Sequence, residues 1–291
     1  MSSSKEIQQY DFKQGLPHEI EIISMSYLLE DYPLEMTSPH RAEFYQILWF
    51  EKGTHTNLLD FEPIEIKSNS LLFVNKGAVQ RFDNSSEFEG KILLFTDNFF
   101  CKTESDIHYL KSNILFNDLL SVPMVQLNSE SDQIALQLKE IEKELSREKD
   151  IYQPDILRNS LRNLLLHAER ERRKQGFTEV KKGPDLDNLI LFKELLEKQY
   201  RTEKQVGNYA REMNITDKRL NQATSKVLGK SPKQMIDERL MLEAKRLLAH
   251  TTESVKEIGF ELGFDEPTNF VKYFKKHQNS TPIEFRESLK L

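Results

Sequence analysis

Two short segments near the C-terminus concentrate side chains able to hydrogen-bond base edges: Asp217-Lys218-Arg219-Leu220-Asn221-Gln222 and Pro267-Thr268-Asn269-Phe270-Val271-Lys272. Asn and Gln carboxamides can pair with adenine, and Lys with guanine or phosphate, so the chemistry on offer is the reading of a DNA major groove. In each segment one large apolar residue, Leu220 or Phe270, is available as a core-facing anchor among the polar ones. A second group lies near the other end. His40, Ala42, Phe44 and Gln46 alternate along a segment of strand character and therefore share a face, predicted to point inward. An imidazole and a carboxamide at the mouth of a barrel could hydrogen-bond a small polar effector. The competing reading is that His40, Gln46 and Gln80 satisfy one another, or ordered water, in a closed core.

The basic segments need helices to hold them, and an internal repeat supplies these. Ser231-Pro232 and Thr281-Pro282 each place an N-cap residue before a proline at the first helical position. Twelve residues before each proline stand Leu220 and Phe270, within basic helices that end near Gly229 and Asn279. Further back, Val206-Gly-Asn-Tyr-Ala-Arg-Glu-Met-Asn214 and Val255-Lys-Glu-Ile-Gly-Phe-Glu-Leu-Gly263 each read as a short helix and tight turn. The repeat is about fifty residues long and each copy is a helix-turn-helix, whose first helix braces across the DNA backbone while the second enters the groove. The alternative is a helical bundle whose basic faces, such as Lys272-Tyr-Phe-Lys275-Lys276-His277, are only solvated.

Ahead of the repeat the pattern changes. Short strands are predicted at Glu19 to Leu29, Phe44 to Phe50, Thr54 to Phe61, Ile64 to Lys67, Leu71 to Val74 and Lys91 to Phe95, punctuated by Gly53, Pro63, Gly77 and Gly90. That spacing indicates a sandwich or barrel. From Ser131, residues Ile134, Leu138, Ile141 and Leu145 recur at helical spacing, and a second helix from about Pro154 to Arg173 carries Ile156, Leu157, Leu161, Leu164 and Leu165. That stripe must pack either on the barrel or on a second copy of the chain. Tyr45 and Trp49, of opposite parity to Gln46, are expected to face these helices. A stretch of turn chemistry without periodicity at 176–184 reads as a linker.

The bulk numbers agree with this division. At 291 residues and 38% apolar side chains the chain can build two or more domains. The net charge is −6, yet from Arg201 onward 17 Lys and Arg stand against 13 Asp and Glu, so the basic part and the acidic part fall in different domains. One cysteine, Cys101, excludes an internal disulfide and a cysteine-based zinc site. With no basic-then-apolar leader and no eighteen-residue apolar run, the expectation is a cytoplasmic protein with no membrane partner. The ten glycines form no phosphate loop, and the carboxylates of 130–150 and 185–203 have the spacing of solvated helix faces. No catalytic residue and no cofactor are assigned.

Four runs carry a family resemblance: Arg239-Leu-Met-Leu-Glu-Ala-Lys-Arg-Leu-Leu248, Ile258-Gly-Phe-Glu-Leu-Gly-Phe264, Asn269-Phe-Val-Lys-Tyr-Phe-Lys-Lys276 and Thr281-Pro-Ile-Glu-Phe-Arg286. Through them residues 186–290 resemble the AraC/XylS transcription regulators. The resemblance implies two helix-turn-helix units joined by a long helix, about Pro232 to Ala249, entering adjacent major grooves. It implies Lys218, Asn221, Gln222 and Ser225, then Thr268, Asn269, Lys272 and Lys275, as the DNA-facing positions. The chain departs from the usual family pattern at Thr224, where an aromatic is common, and at Gly259 and Asn279, where alanine and glycine are.

The strand-rich part resembles the cupin domains found at the front of such regulators, through Phe44-Tyr-Gln-Ile-Leu-Trp-Phe50, Leu71-Leu-Phe-Val74 and Lys91-Ile-Leu-Leu-Phe95. Cupin enzymes bind a metal through three His and a carboxylate. Here His40 remains, but Ala42, Gln46 and Gln80 occupy the other three positions, and amides supply no charge to offset a divalent cation. No bound metal is expected.

The fold read from the sequence is α+β and multidomain. A cupin-like β-barrel sensor spans 1–130, a helical dimerisation or packing segment 131–175, the linker 176–184, and an all-α DNA-binding domain with two helix-turn-helix units 185–291. The function is a sequence-specific transcription regulator, with effector contacts assigned to His40, Phe44, Gln46 and Gln80. Double-stranded DNA, a small-molecule effector, a second copy of the chain and RNA polymerase are the expected partners. Two alternatives stand: a regulator with no small-molecule ligand, and a cupin-type metalloenzyme fused to a DNA-binding domain.

Overall fold

The computed structural model describes residues 7–82, 88–116, 124–128, 132–176 and 183–289. The chain divides into two compact units, one within residues 9–179 and one within residues 180–291. Residues 177–182 of the expected linker lie outside the described residues. Among the described residues no helix is long and apolar enough to cross a membrane.

Among the described residues the first unit has ten strands: β1 (Gln8–Tyr10), β2 (Ile20–Ser24), β3 (His40–Ala42), β4 (Tyr45–Gly53), β5 (His55–Leu59), β6 (Glu62–Ile66), β7 (Ser70–Val74), β8 (Gln80–Phe82), β9 (Phe88–Phe95) and β10 (Met124–Gln126). They form two five-stranded sheets, ordered β1-β3-β8-β5-β6 and β10-β7-β4-β9-β2. The pairs with assigned register, β4 with β7 and β9 among them, are antiparallel. The second sheet is covered on both faces, which is why Ile47-Leu48-Trp49-Phe50 and Leu71-Leu72-Phe73-Val74 read as continuous apolar runs rather than alternating ones.

One face of that sheet, with Leu48, Phe50, Leu72, Val74 and Ile92, packs with Ile64, Ile66 and Phe82 of the opposite sheet to form the interior. The other face, with Tyr45, Ile47, Trp49, Phe73 and Phe95, is covered by a helical hairpin, α5 (Asp132–Leu145) and α6 (Gln153–Lys174). Tyr45 and Trp49 thus meet the helices, as their parity predicts. On α6 Leu157, Leu161, Leu164, Leu165 and Ala168 are fully buried against this face, but Ile156, expected on the same stripe, is 41% exposed. Ile156 is about 100° round the helix from Leu157 and falls outside the buried stripe, whereas the adjacent Leu164 and Leu165 both fall within it.

The predicted strand Glu19 to Leu29 is a strand only to Ser24, and α1 (Met25–Asp31) follows. Met25, Leu28 and Leu29 have i, i+3, i+4 spacing and all pack on the interior cluster, a pattern hidden inside a longer apolar run. Three further short helices, α2 (Pro33–Thr37), α3 (Asp97–Phe100) and α4 (Glu104–Ser112), join the strands.

The second unit is all helical: α7 (Pro184–Gln199), α8 (Val206–Glu212), α9 (Asp217–Leu228), α10 (Pro232–His250), α11 (Val255–Glu261), α12 (Pro267–Gln278) and α13 (Pro282–Ser288). The repeat is visible in its termini. The side chains of Thr216, Ser231, Ser254 and Thr281 accept the amides of Arg219, Gln234, Glu257 and Glu284, the last three as reciprocal capping boxes.

Candidate nucleic-acid interface and effector site

The two tight turns are built alike. Asn214 (φ 55°) follows α8 and Gly263 (φ 73°) follows α11, both left-handed. After them Ile215 donates to Ala210 O and Phe264 to Gly259 O, each at 3.0 Å. The turn then feeds α9 or α12, whose buried faces are Leu220, Ala223 and Thr224 in one and Phe270 and Phe274 in the other. Both helices end on a left-handed residue, Gly229 and Asn279, whose amides bond Ser225 O and Lys275 O at 2.9 Å.

All eight positions assigned to DNA are solvent-exposed: Lys218, Asn221, Gln222 and Ser225 on α9, and Thr268, Asn269, Lys272 and Lys275 on α12. Their spacing over two turns places them opposite the buried anchors. Asn221 also donates to Asp217 O at 2.9 Å. The bond leaves its amide oxygen available as an acceptor.

Two sets of contacts tie the long helix α10 to its neighbours. Tyr273 of α12 donates to Asp237 of α10 at 2.6 Å, and burial together with that carboxylate pushes its phenol well above the ordinary range. At the centre Glu243 of α10, 0% exposed, is bonded by Arg239 (3.2 Å), Arg246 (3.0 Å) and Arg201 (3.3 Å). Arg201 also bonds Glu261 of α11 at 3.2 Å, and Arg239 bonds Glu197 of α7 at 2.8 Å. Burial opposes the charge on Arg239, but Glu197, Tyr200 and Glu243 hold its pKa above the usual value. Three helices from both halves of the unit therefore share one ionic cluster centred on a buried carboxylate.

In the first unit, β3 ends at Ala42 and β4 begins at Tyr45 in the other sheet, so the alternation from His40 to Gln46 is interrupted at Glu43 and Phe44. Gln46 and Gln80 are brought together: Gln80 Nε2 donates to Gln46 Oε1 at 2.8 Å. His40 pairs with Gln80 across the strands, its Nδ1 donates to Ser38 O at 2.9 Å, and burial pushes its imidazole below the usual pKa, toward the neutral form. Phe44 instead packs edge-on against Phe12, with ring centroids 5.5 Å apart. A residue that sequence reasoning passed over completes the picture. Asn57 of β5 is 0% exposed, and neither its Oδ1 nor its Nδ2 has a hydrogen-bond partner; the Oε1 of Gln80 is likewise unpaired. Beside Asn57, the ring of His55 lies 5.5 Å from Phe82 and 4.4 Å from Phe88.

The metal chemistry of a cupin does not fit this donor set, since Ala42, Gln46 and Gln80 stand where it needs imidazoles and a carboxylate, and amides supply no charge to offset a divalent cation. Among the described residues, no three His, Cys, Asp or Glu side chains converge as metal ligands would.

Residues 23–175, just over half of the chain, match the AraC-like ligand binding domain, and residues 209–288 match a helix-turn-helix domain. The chain belongs to the AraC family. It is 21% identical over 250 residues to the HTH-type transcriptional activator RhaS of Pectobacterium carotovorum subsp. carotovorum (strain PC1), a match covering 85% of this chain and 86% of that one. It is 29% identical over 92 residues to the uncharacterized HTH-type transcriptional regulator YisR of Bacillus subtilis (strain 168), where it spans about a third of the relative's length (32%). The crystal structure of ToxT from Vibrio cholerae O395 aligns over 93% of this chain and 97% of its own, at 16% identity and a TM-score of 0.42.

Three positions where this AraC-family chain departs from the common pattern find local reasons. A Cβ on Gly259 would meet Phe270 Cβ at 3.2 Å, so glycine lets the large anchor of α12 seat closely. Asn279 adopts the left-handed cap that glycine usually fills, a conformation Asn tolerates. Thr224 is fully buried and returns its hydroxyl to Asn221 O at 3.3 Å, which satisfies the polar atom that an aromatic would not have brought.

Proposed function

We propose that this AraC-family regulator reads two successive major-groove boxes, α9 contributing Lys218, Asn221, Gln222 and Ser225, and α12 contributing Thr268, Asn269, Lys272 and Lys275. The observation that carries the reading is the repeated placement of exposed polar residues opposite buried anchors, on helices with matched turns and caps. No residue is assigned a catalytic role. The working division is a barrel sensor over 1–130, its packing helices over 131–175, a linker over 176–184 and the DNA-binding domain over 185–291. A cytoplasmic site of action is supported by the DNA partner and the single cysteine.

The effector reading rests on Asn57 and on Gln80 Oε1. An unpaired buried polar group costs on the order of 1–3 kcal/mol, and Asn57 carries two. A small molecule bearing both a donor and an acceptor would satisfy them, with Gln46 and His40 nearby and Phe44 on the periphery. Gln46 bonded to Gln80 favours the second reading, a closed interior with no ligand. Exposed Leu136, Ile156 and Leu166, on the faces of α5 and α6 that the sheet does not cover, support a homodimer. Contact with RNA polymerase is assigned to surfaces that DNA leaves free.

Lys272→Ala and Asn269→Ala separate the roles within one reading head. Lys272→Ala is expected to weaken binding to many sequences and to lower the salt slope by about one, as for a phosphate contact. Asn269→Ala is expected to relax preference at one base pair, with about 1–3 kcal/mol of discrimination lost. Titrations on specific and random duplexes at several salt concentrations measure both, and identical behaviour of the two variants would defeat the assignment.

A further inference from the structure

A carboxylate from outside the reading helix is bonded to two of its cations. Asp185 is the second residue of α7, and its Oδ1 accepts from Arg219 while its Oδ2 lies 2.7 Å from Lys226 Nζ. Arg219 and Lys226 sit two turns apart on α9. Between them Gln222 and Ser225, two of the positions assigned to DNA, line the same surface depression as Asp185, Arg219 and Lys226. The two cations hold the Asp185 carboxyl below the usual carboxylate range, which favours its ionised form.

An anion bonded to two cations at the edge of a DNA-facing surface competes with phosphate for them. Each Lys or Arg that neutralises a phosphate steepens the salt dependence of binding by about 0.9 in log K per log salt. A cation already neutralised by a carboxylate adds less, and the carboxylate itself repels the backbone.

We propose that Asp185 is a positioning residue for the first reading head: it withholds Arg219 and Lys226 from the phosphate backbone, so that α9 binds through Lys218, Asn221, Gln222 and Ser225 rather than through these two cations. The proposal rests on the DNA-binding reading above. It makes the start of α7 a determinant of how far the first head discriminates specific from random DNA. Neither cation belongs to the eight positions assigned to DNA, which is consistent with their being occupied within the protein.

The test compares Asp185→Asn with Asp187→Asn in the full-length chain. Asp187 lies in the same first turn of α7 and is exposed, so its replacement changes net charge and helix-dipole interaction equally. Binding to random-sequence duplex is followed as a function of salt. Asp185→Asn is expected to steepen the slope by about one to two phosphate equivalents and to tighten random-sequence binding several-fold, with Asp187→Asn near wild type. Asp185→Glu, which keeps the carboxylate, is expected to retain the wild-type slope. In the Asp185→Asn background, Lys226→Gln should remove about one equivalent, and the same change in the wild-type background much less. Equal slopes for the two Asn variants would overturn the proposal, as would an equal effect of Lys226→Gln in both backgrounds. A wild-type chain with no salt-dependent binding would instead sink the DNA-binding reading itself.

Discussion

Replacing Glu243 by glutamine is expected to destabilise the helical unit by about 3–5 kcal/mol, the cost of removing one member of a buried ionic cluster. The carboxylate is fully buried and bonds three guanidinium groups. Arg239 keeps Glu197 and Arg201 keeps Glu261, so part of the charge remains compensated and the lower end of that range applies to them. Arg246 is nearly as buried as Glu243 and bonds it at 3.0 Å, so losing that charged contact in a buried place sets the size of the effect. Chemical denaturation of the full-length chain, followed by far-ultraviolet circular dichroism, measures it. An unchanged midpoint would mean that the cluster is replaceable packing. The functional consequence follows from the geometry: Arg201 bridges Glu243 on the long helix to Glu261 at the end of α11, the first helix of the second reading unit. Stability and binding to a two-box site should therefore fall together.

Gly263→Ala is expected to cost on the order of 3 kcal/mol and to abolish the second reading head while sparing the first. Gly263 has φ +73°, and an added Cβ would stand 1.9 Å from the carbonyl oxygen of Arg201, a backbone atom that no rotamer can move. Lys204 Nζ donates both to Gly263 O at 2.8 Å and to Arg201 O at 3.0 Å, which fixes this approach from the other side. The matching position of the first unit, Asn214, is also left-handed at φ 55°, but it carries a side chain. Asn214→Ala, which bears the same backbone angle without that approach, is therefore expected to cost less, and the contrast between the two turns tests the close approach rather than the backbone angle alone. Protection of each box by the two variants in nuclease footprinting measures the outcome. Loss of both boxes in Gly263→Ala, with a chain that remains folded, would contradict the separation of the heads.

The C-terminal repeat was legible because its signals are local. Ser231-Pro232 and Thr281-Pro282 each begin a helix, Gly229 and Asn279 each end one in the left-handed region, and the anchors Leu220 and Phe270 are buried. The central strands were legible for a different reason: a sheet covered on both faces needs unbroken apolar runs. What escaped depends on distant partners. Met25, Leu28 and Leu29 read as the end of a strand, and only packing on the interior bends them into a helix. The change of sheet at Glu43 and Phe44 has no turn residue to announce it, and it moves Phe44 onto Phe12. The hairpin between β5 and β6 turns on Asp60 and Phe61, both with positive φ, where phenylalanine is not a turn signal. Asn57 is buried because its cross-strand neighbours are Ile64 and Phe82, which no window of sequence reveals. Asp185 meets Arg219 and Lys226 across more than thirty residues of chain, and in sequence it is one acid among many at the start of a helix.

The central claim is that two similar heads read two boxes, and selection of bound DNA from a random duplex pool by the full-length protein tests it most directly. Repeating the binding at several salt concentrations separates phosphate attraction from base reading. The account predicts an enriched motif with two boxes about one helical turn apart, roughly 10 base pairs centre to centre, each lost with substitutions in its own helix. Enrichment of a single short box, or none above random, would contradict it and leave the basic faces of α9 and α12 as solvated surface.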